Sequence, residues 1–196
     1  KPPDPFVLGE RHARRGHHEA AVQLFTKVIE RGGLSNARAY AARGMSAQAL
    51  GDHVRATYDF SMAIRLQPEW PAHYTARGIS FAALHQVETM PGALQDHDTA
   101  VSLVLRDPGA PASLFFGVHV ERAKAREMVG RLEDAIADLS AALGQLLGAE
   151  QEEEDAPGAT PEAVPALVLR GSCFRRLGRL EEAIADLSEA VQLEPA

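Results

Sequence analysis

The chain has 196 residues, of which 45% are hydrophobic and 6% aromatic, with a single cysteine and a formal net charge of −7. That size and composition describe one or two ordinary domains able to bury a core, and a lone cysteine excludes both an intrachain disulfide and a cysteine zinc cluster. Lys and Arg balance Asp and Glu through residue 149, whereas residues 150–162 hold six carboxylates and no cation, so no clustered basic face stands out and nucleic acid is set aside as a partner.

The opening stretch KPPDPFVLGERHARR has no initiating Met, which reads as a piece cut from a longer chain, and lacks the apolar middle of a signal peptide. No apolar run approaches the roughly 20 residues of a membrane span, so no membrane partner is expected. Leu8, Gly9, Gly16, Ala21, Phe25, Val28 and Ile29 then mark a first helix–turn–helix unit over about 2–35, with Gly33 near its end. A second unit over about 37–70 opens on Arg43-Gly44, turns at Gly51, and continues with Ala56, Phe60, Ala63, Ile64 and Pro68 at spacings of 4, 3, 1 and 4.

Arg77-Gly78 repeats the Arg-Gly pair 34 positions on and opens a third unit, about 71–108. It keeps Tyr74, Phe81, Leu84, Ala93, Ala100, Val101 and Pro108, but HQVETMPG lengthens its inner turn and SLVLRDP its second helix. The fourth, about 116–148, puts Ala123 in the glycine slot and returns to pattern at Gly130, Ala135, Leu139, Ala142 and Leu143. The fifth, about 164–196, has Arg170-Gly171 and Gly178, then Ala183, Leu187, Ala190, Val191 and Pro195 at the spacings of the second.

GRLEDAIADLSAAL at 130–143 returns as GRLEEAIADLSEAV at 178–191, 48 positions later. Between units four and five lies GAEQEEEDAPGATPEA, rich in acid, Pro and Gly and without a large apolar residue, which predicts a solvated, disordered insertion over 149–163. The interval of 48 is then one 34-residue unit plus a loop, long enough for the fifth unit to stack on the fourth.

This pattern resembles the tetratricopeptide repeat (TPR), a helix–turn–helix unit of 34 residues, with Gly33 standing where proline is usual in that family and Arg126 where an aromatic is usual. The resemblance implies an all-α, right-handed α-solenoid of about five such units: four over 2–148 and the fifth after the insertion. Elementary packing agrees, because small residues at a helix crossing let two axes approach while large apolar neighbours three and four positions away fill the grooves. Proline closes the second helix, having no N–H to donate.

The resemblance also implies that first helices line a concave, ligand-bearing surface. Its expected residues are Arg38, Ala41, Met45, Gln48 and Ala49 of the second unit and Thr75, Ile79 and Ala82 of the third, a mostly apolar floor suited to an apolar peptide segment or a partner helix. The family's two-carboxylate clamp for chaperone tails uses Lys and Asn on the first unit, Asn on the second, and Lys and Arg on the third. Here the matching positions hold Phe6 and Glu10, Ala42, and Ala72 and Ala76, so no clamp is expected. Lys124, Arg175 and Arg176 would make the later groove more polar, open to an acidic peptide or to the chain's own acidic loop; the other reading is a solvated face balanced by Glu181 and Glu182.

Nothing in the sequence assembles into a reactive site. His12, His17 and His18 miss the spacing of three or four that puts ligands on one helical face, and the other histidines are scattered. Cys173 sits beside the inward Phe174, as a small hydrophobe does. There is no nucleophile elbow, phosphate loop, dinucleotide fingerprint or calcium loop. The expectation is a non-catalytic scaffold or adaptor with no cofactor and no metal, intracellular and cytoplasmic, possessing no polar cap after Pro195 and so continued by further repeats or a partner surface. Two other readings stay open: a structural subunit of a large cytoskeletal or ciliary assembly, and the regulatory arm of a larger enzyme.

Overall fold

The computed structural model describes residues 4–32, 36–150 and 161–193, without the side chains of 147–150. Gly33, Pro195 and residues 151–160 of the expected insertion lie outside the described residues. Among those described there are ten α-helices and no strand: α1 Pro5–Arg14, α2 His18–Gly32, α3 Ala37–Ala49, α4 His53–Leu66, α5 Pro71–Ala83, α6 Met90–Arg106, α7 Ala112–Met128, α8 Leu132–Glu150, α9 Val164–Arg176 and α10 Leu180–Leu193. A 3-10 turn, Pro161–Ala163, leads into α9.

The chain forms two compact halves, residues 1–100 and 101–196, divided within α6. In the first half each helix from α1 to α5 packs on its neighbour in sequence, and the first helices of successive hairpins also touch, α1 with α3 and α3 with α5. The second half repeats this order: α7 packs on α8, α8 on α9, α9 on α10, and α7 reaches α9. Such contacts describe hairpins queued side by side.

Helix starts follow local chemistry. The side chains of Asp4, Asn36 and Asp52 accept hydrogen bonds from Phe6 N, Ala39 N and Arg55 N at 2.9, 2.9 and 3.1 Å, satisfying donors that a first turn leaves free. Between the two helices of a hairpin the chain reverses at Gly16, Gly51, Gly130 and Gly178, with φ from 76° to 80°, a conformation that costs glycine little. The third hairpin has His85 there, at φ 51°, in a longer turn that Thr89 closes by donating to the Phe81 and Gln86 carbonyls, each at 2.9 Å.

Each hairpin is fixed at its crossing by a small residue facing a bulky one. A Cβ added to Gly9 would lie 2.7 Å from the Phe25 ring, one on Gly44 3.1 Å from Phe60, one on Gly78 2.8 Å from His97, and one on Gly171 3.0 Å from Leu187. The bulky residue follows its glycine by 16 positions in three cases and by 19 in the third hairpin. In the fourth hairpin Ala123 precedes the fully buried Leu139 by the same 16.

One position before these pairs, in every hairpin but the first, runs a second device, an arginine clasping an aspartate. Arg43 reaches Asp59 through Nε and Nη2 at 2.9 and 2.7 Å, and Arg77 reaches Asp96 at 2.8 and 2.7 Å. Arg170 makes the same fork to Asp186, both bonds 2.8 Å. In the fourth hairpin Asp138 receives Arg122, and also Arg126 at 2.7 Å. The aspartates are buried, and their hydrogen bonds raise the pKa of Arg43 and Arg77 against the lowering effect of burial.

The free Nη1 of three of these arginines donates to a hydroxyl on the preceding hairpin: Arg43 to Thr26 and Arg77 to Ser61, both 3.0 Å, and Arg170 to Ser140 at 3.1 Å. The motif therefore ties a first helix both to its own second helix and to the one before. Such a bidentate pair specifies geometry. It adds little stability over apolar packing, but removing one partner strands the other. In the first hairpin the equivalent positions are Leu8 and Leu24.

Candidate functional site

The main groove of the first half encloses about 750 Å³ between α1, α3 and the start of α5. Alanines at the facing turns, Ala41 and Ala42 on α3 and Ala72 and Ala76 on α5, form its floor; their small side chains leave space that longer ones would fill. Phe6, Met45 and Trp70 supply its larger apolar surface. Trp70, the chain's sole tryptophan, stands exposed in the link between α4 and α5, its ring 6.3 Å from that of His73.

Polar groups sit on the walls and are largely engaged. Arg38 lies over the Phe6 ring, 4.5 Å from its centroid, and donates to Glu10 at 2.7 Å. Arg14 also approaches Glu10, at 3.9 Å. His73 Nε2 lies 3.2 Å from Gln67 Oε1, and burial lowers its pKa, favouring the neutral ring. An apolar floor with a few placed polar groups is the ordinary make-up of a ligand groove.

Of the residues expected on the concave surface, Arg38, Ala41 and Met45 line this groove. Gln48 bridges α3 to α5, donating to the Ala76 carbonyl and to Ser80 Oγ, both at 2.8 Å. Ala49 is exposed at the end of α3. On α5, Thr75 is half-buried and turns back to the Pro71 carbonyl at 3.2 Å, Ile79 is exposed, and Ala82 is half-buried; none of the three lines the cavity. The clamp-equivalent positions Phe6, Glu10, Ala42, Ala72 and Ala76 all do.

Lys124, Arg175 and Arg176 belong to the second half. Lys124 pairs with Glu121 at 2.7 Å, and Arg176 pairs with Glu127, tying α9 to α7. Arg175 is exposed. The balancing partner of Arg176 is thus Glu127; Glu182 is taken by Arg179, which holds its carboxyl below the usual range. Cys173 is fully buried, and burial raises its thiol pKa, the opposite of what a thiolate nucleophile needs. Among the described residues no group of three or more His, Cys, Asp or Glu is placed to hold a metal ion, and no helix is long and apolar enough to cross a membrane.

A scaffold of queued helical hairpins carrying an apolar groove defines a class of repeat proteins whose general role is to hold other proteins. The tetratricopeptide repeat family model matches residues 6–71 and 120–196, more than half of the chain, and the chain belongs to that family; its fold is the family's all-α solenoid. No curated protein matches the sequence significantly. Among solved structures, it is similar to a thermophilic TPR protein of Thermus thermophilus, with 21% identity and a TM-score of 0.68, covering 97% of this chain and 90% of that one. It is similar also to MamA of Desulfovibrio magneticus, with 18% identity and a TM-score of 0.72 over 96% and 92% of the two chains. YrrB, described as a TPR protein with an unusual peptide-binding site, shares 19% identity at a TM-score of 0.67 over 97% and 85%.

Proposed function

We propose that this chain is a non-catalytic, intracellular adaptor whose first-half groove receives an apolar segment or helix of a partner protein. The observation that carries the reading is the alanine-floored cavity of about 750 Å³ with Met45 and Trp70 exposed at it. Large apolar side chains left in water beside a concave floor are what a partner's apolar anchors would cover. Phe6 stands where the family's carboxylate clamp would need a lysine, and Ala72 and Ala76 where it would need a lysine and an arginine, so a tail carrying two carboxylates is a poor fit. YrrB's peptide-binding site supports the class of ligand by likeness of fold.

The test is selection of random twelve-residue peptides against the whole chain, followed by titration of the enriched sequences with Trp70 emission as the readout. Peptides with apolar anchors at helical spacing should be enriched and should shift that emission to shorter wavelength. Met45→Glu should weaken them about tenfold or more, the loss typical of a central anchor. Enrichment of acidic C-terminal tails, or apolar peptides that bind Met45→Glu as well as the wild type, would overturn the reading.

A further inference from the structure

The even charge balance of residues 1–149 conceals a local excess. Positions 11–18 hold Arg11, Arg14, Arg15 and three histidines with no Asp or Glu, and they run from the last turn of α1 to the start of α2. Arg11 and Arg15 are exposed and have no acidic partner among the described residues. Arg14 is 80% exposed and lies 3.9 Å from Glu10, a carboxylate that Arg38 already engages at 2.7 Å.

Geometry joins these cations to the apolar groove. Arg14 lines the main cavity and also a smaller hollow of about 310 Å³ whose other walls are Val7, Arg11 and Arg15. The far wall of the main cavity, on and just before α5, is lined by Trp70, Ala72, His73 and Ala76, without a Lys, Arg, Asp or Glu. The groove is thus apolar toward Trp70 and passes at its α1 end into a cationic hollow. Such a gradient selects both the charge and the direction of what lies in the groove.

Arg11 also marks this face of α1 as one built for a solvated or charged neighbour. Two positions after the crossing glycine or alanine, the other first helices have Ser46, Ser80, Ala125 and Cys173, all buried. Ser80 accepts a hydrogen bond from Gln48 of the first helix before it. A further helix packed on α1 in that manner would strip water from an arginine where the other four bury a small residue. An anion meets the same arginine through a charge-assisted hydrogen bond.

We propose that the partner segment carries an acidic side chain just beyond its apolar anchors, which Arg11, Arg14 and Arg15 hold while the anchors lie on the alanine floor toward Trp70. The inference rests on the groove's receiving an apolar segment, and adds that segment's charge and direction. It differs from the family's two-carboxylate clamp, whose positions here hold Phe6, Glu10, Ala42, Ala72 and Ala76; none of the three arginines occupies one of them.

The probe is a twelve-residue apolar peptide enriched on the whole chain, with both ends capped so that its termini carry no charge. It is made in Glu, Gln and Lys forms that differ only at the residue flanking the anchors, first at one end and then at the other. At low ionic strength, and at one end only, the Glu form should bind severalfold more tightly than the Gln form and the Lys form severalfold more weakly, chiefly through the association rate. In about 1 M salt, where the screening length falls to roughly 3 Å, the three should converge. Arg11→Glu with Arg15→Glu, at exposed positions whose side chains make no hydrogen bond among the described residues, should reverse the order of the Glu and Lys forms. The same variant should bind the Gln form unchanged, which shows the groove intact. Three forms that bind alike, or a Glu advantage that survives the charge reversal, overturn the proposal while the groove reading stands. Failure of the Gln form to bind, or its indifference to Met45→Glu, overturns the groove reading and the proposal with it. Binding to vesicles of anionic phospholipid that the charge reversal abolishes, with the three forms alike, overturns the proposal too, because the arginines then serve a lipid surface.

Discussion

The second hairpin, α3 and α4, and the third, α5 and α6, are built from the same parts at different intervals. Gly44 faces Phe60 and Arg43 clasps Asp59, each 16 positions apart; Gly78 faces His97 and Arg77 clasps Asp96, each 19 apart. The turn absorbs the three extra residues, so the crossing and the ion pair keep their geometry while the sequence interval breaks. The family model matches the second hairpin and skips residues 72–119. What makes a repeat physically is which side chains face each other, and interval is only its usual trace.

The largest expected effect tests whether the two ion pairs are equivalent. Asp59→Ala strands the part-buried Arg43 guanidinium, and Asp96→Ala strands that of Arg77; each should lower unfolding free energy by about 3 kcal/mol, the lower end of the loss for breaking a buried pair, read from urea midpoints. Replacing both partners by apolar residues, as in Arg43→Met with Asp59→Leu, should recover most of the loss, because the penalty lies in the unpaired charge. A much smaller loss for Asp96→Ala would show that the longer turn has made the third pair incidental.

The two hairpins also show how far the architecture is legible in the sequence. Glycines, alanines and turn glycines recur because helix crossings and left-handed turns demand small residues at set places, and that demand leaves a periodic trace. Arg43-Gly44 and Arg77-Gly78 stand out for the same reason. Their aspartates do not, since each reads as one more polar residue on an amphipathic helix. The usable signal is adjacency to the bulky residue that faces the glycine, as in Asp59-Phe60, Asp96-His97, Asp138-Leu139 and Asp186-Leu187. The alanine floor and Met45 follow from helical phase, whereas Trp70 lies in an inter-hairpin link where no period applies.

The inner turns offer a smaller test. His85 holds φ 51° where Gly51 holds 76°, and a side chain in that region is strained by crowding of its Cβ. His85→Gly should raise stability by about 1 kcal/mol, less the entropy glycine gains in the unfolded chain, and Gly51→His should cost a comparable amount. Equal stabilities for His85→Gly and the wild type would mean that the Thr89 bonds to the Phe81 and Gln86 carbonyls already accommodate the strained residue.

The smallest effect is one of pH. Counting back five positions from the glycine, the second hairpin has the buried Ala39 and the third has the buried His73, whose pKa desolvation lowers from the usual 6.5. A histidine with a lower pKa folded than unfolded binds its proton more tightly in the unfolded chain, so protonation favours unfolding. Stability should therefore be level above pH 6.5 and decline as pH falls through that value, until the folded ring protonates as well. His119 is lowered in the same direction, chiefly by burial, and adds to the slope. His73→Ala, which gives α5 the residue α3 already has, should make the decline of the urea midpoint between pH 7.5 and 5 shallower without abolishing it. An unchanged slope would mean that the ring at position 73 is hydrated enough to titrate alike in both states.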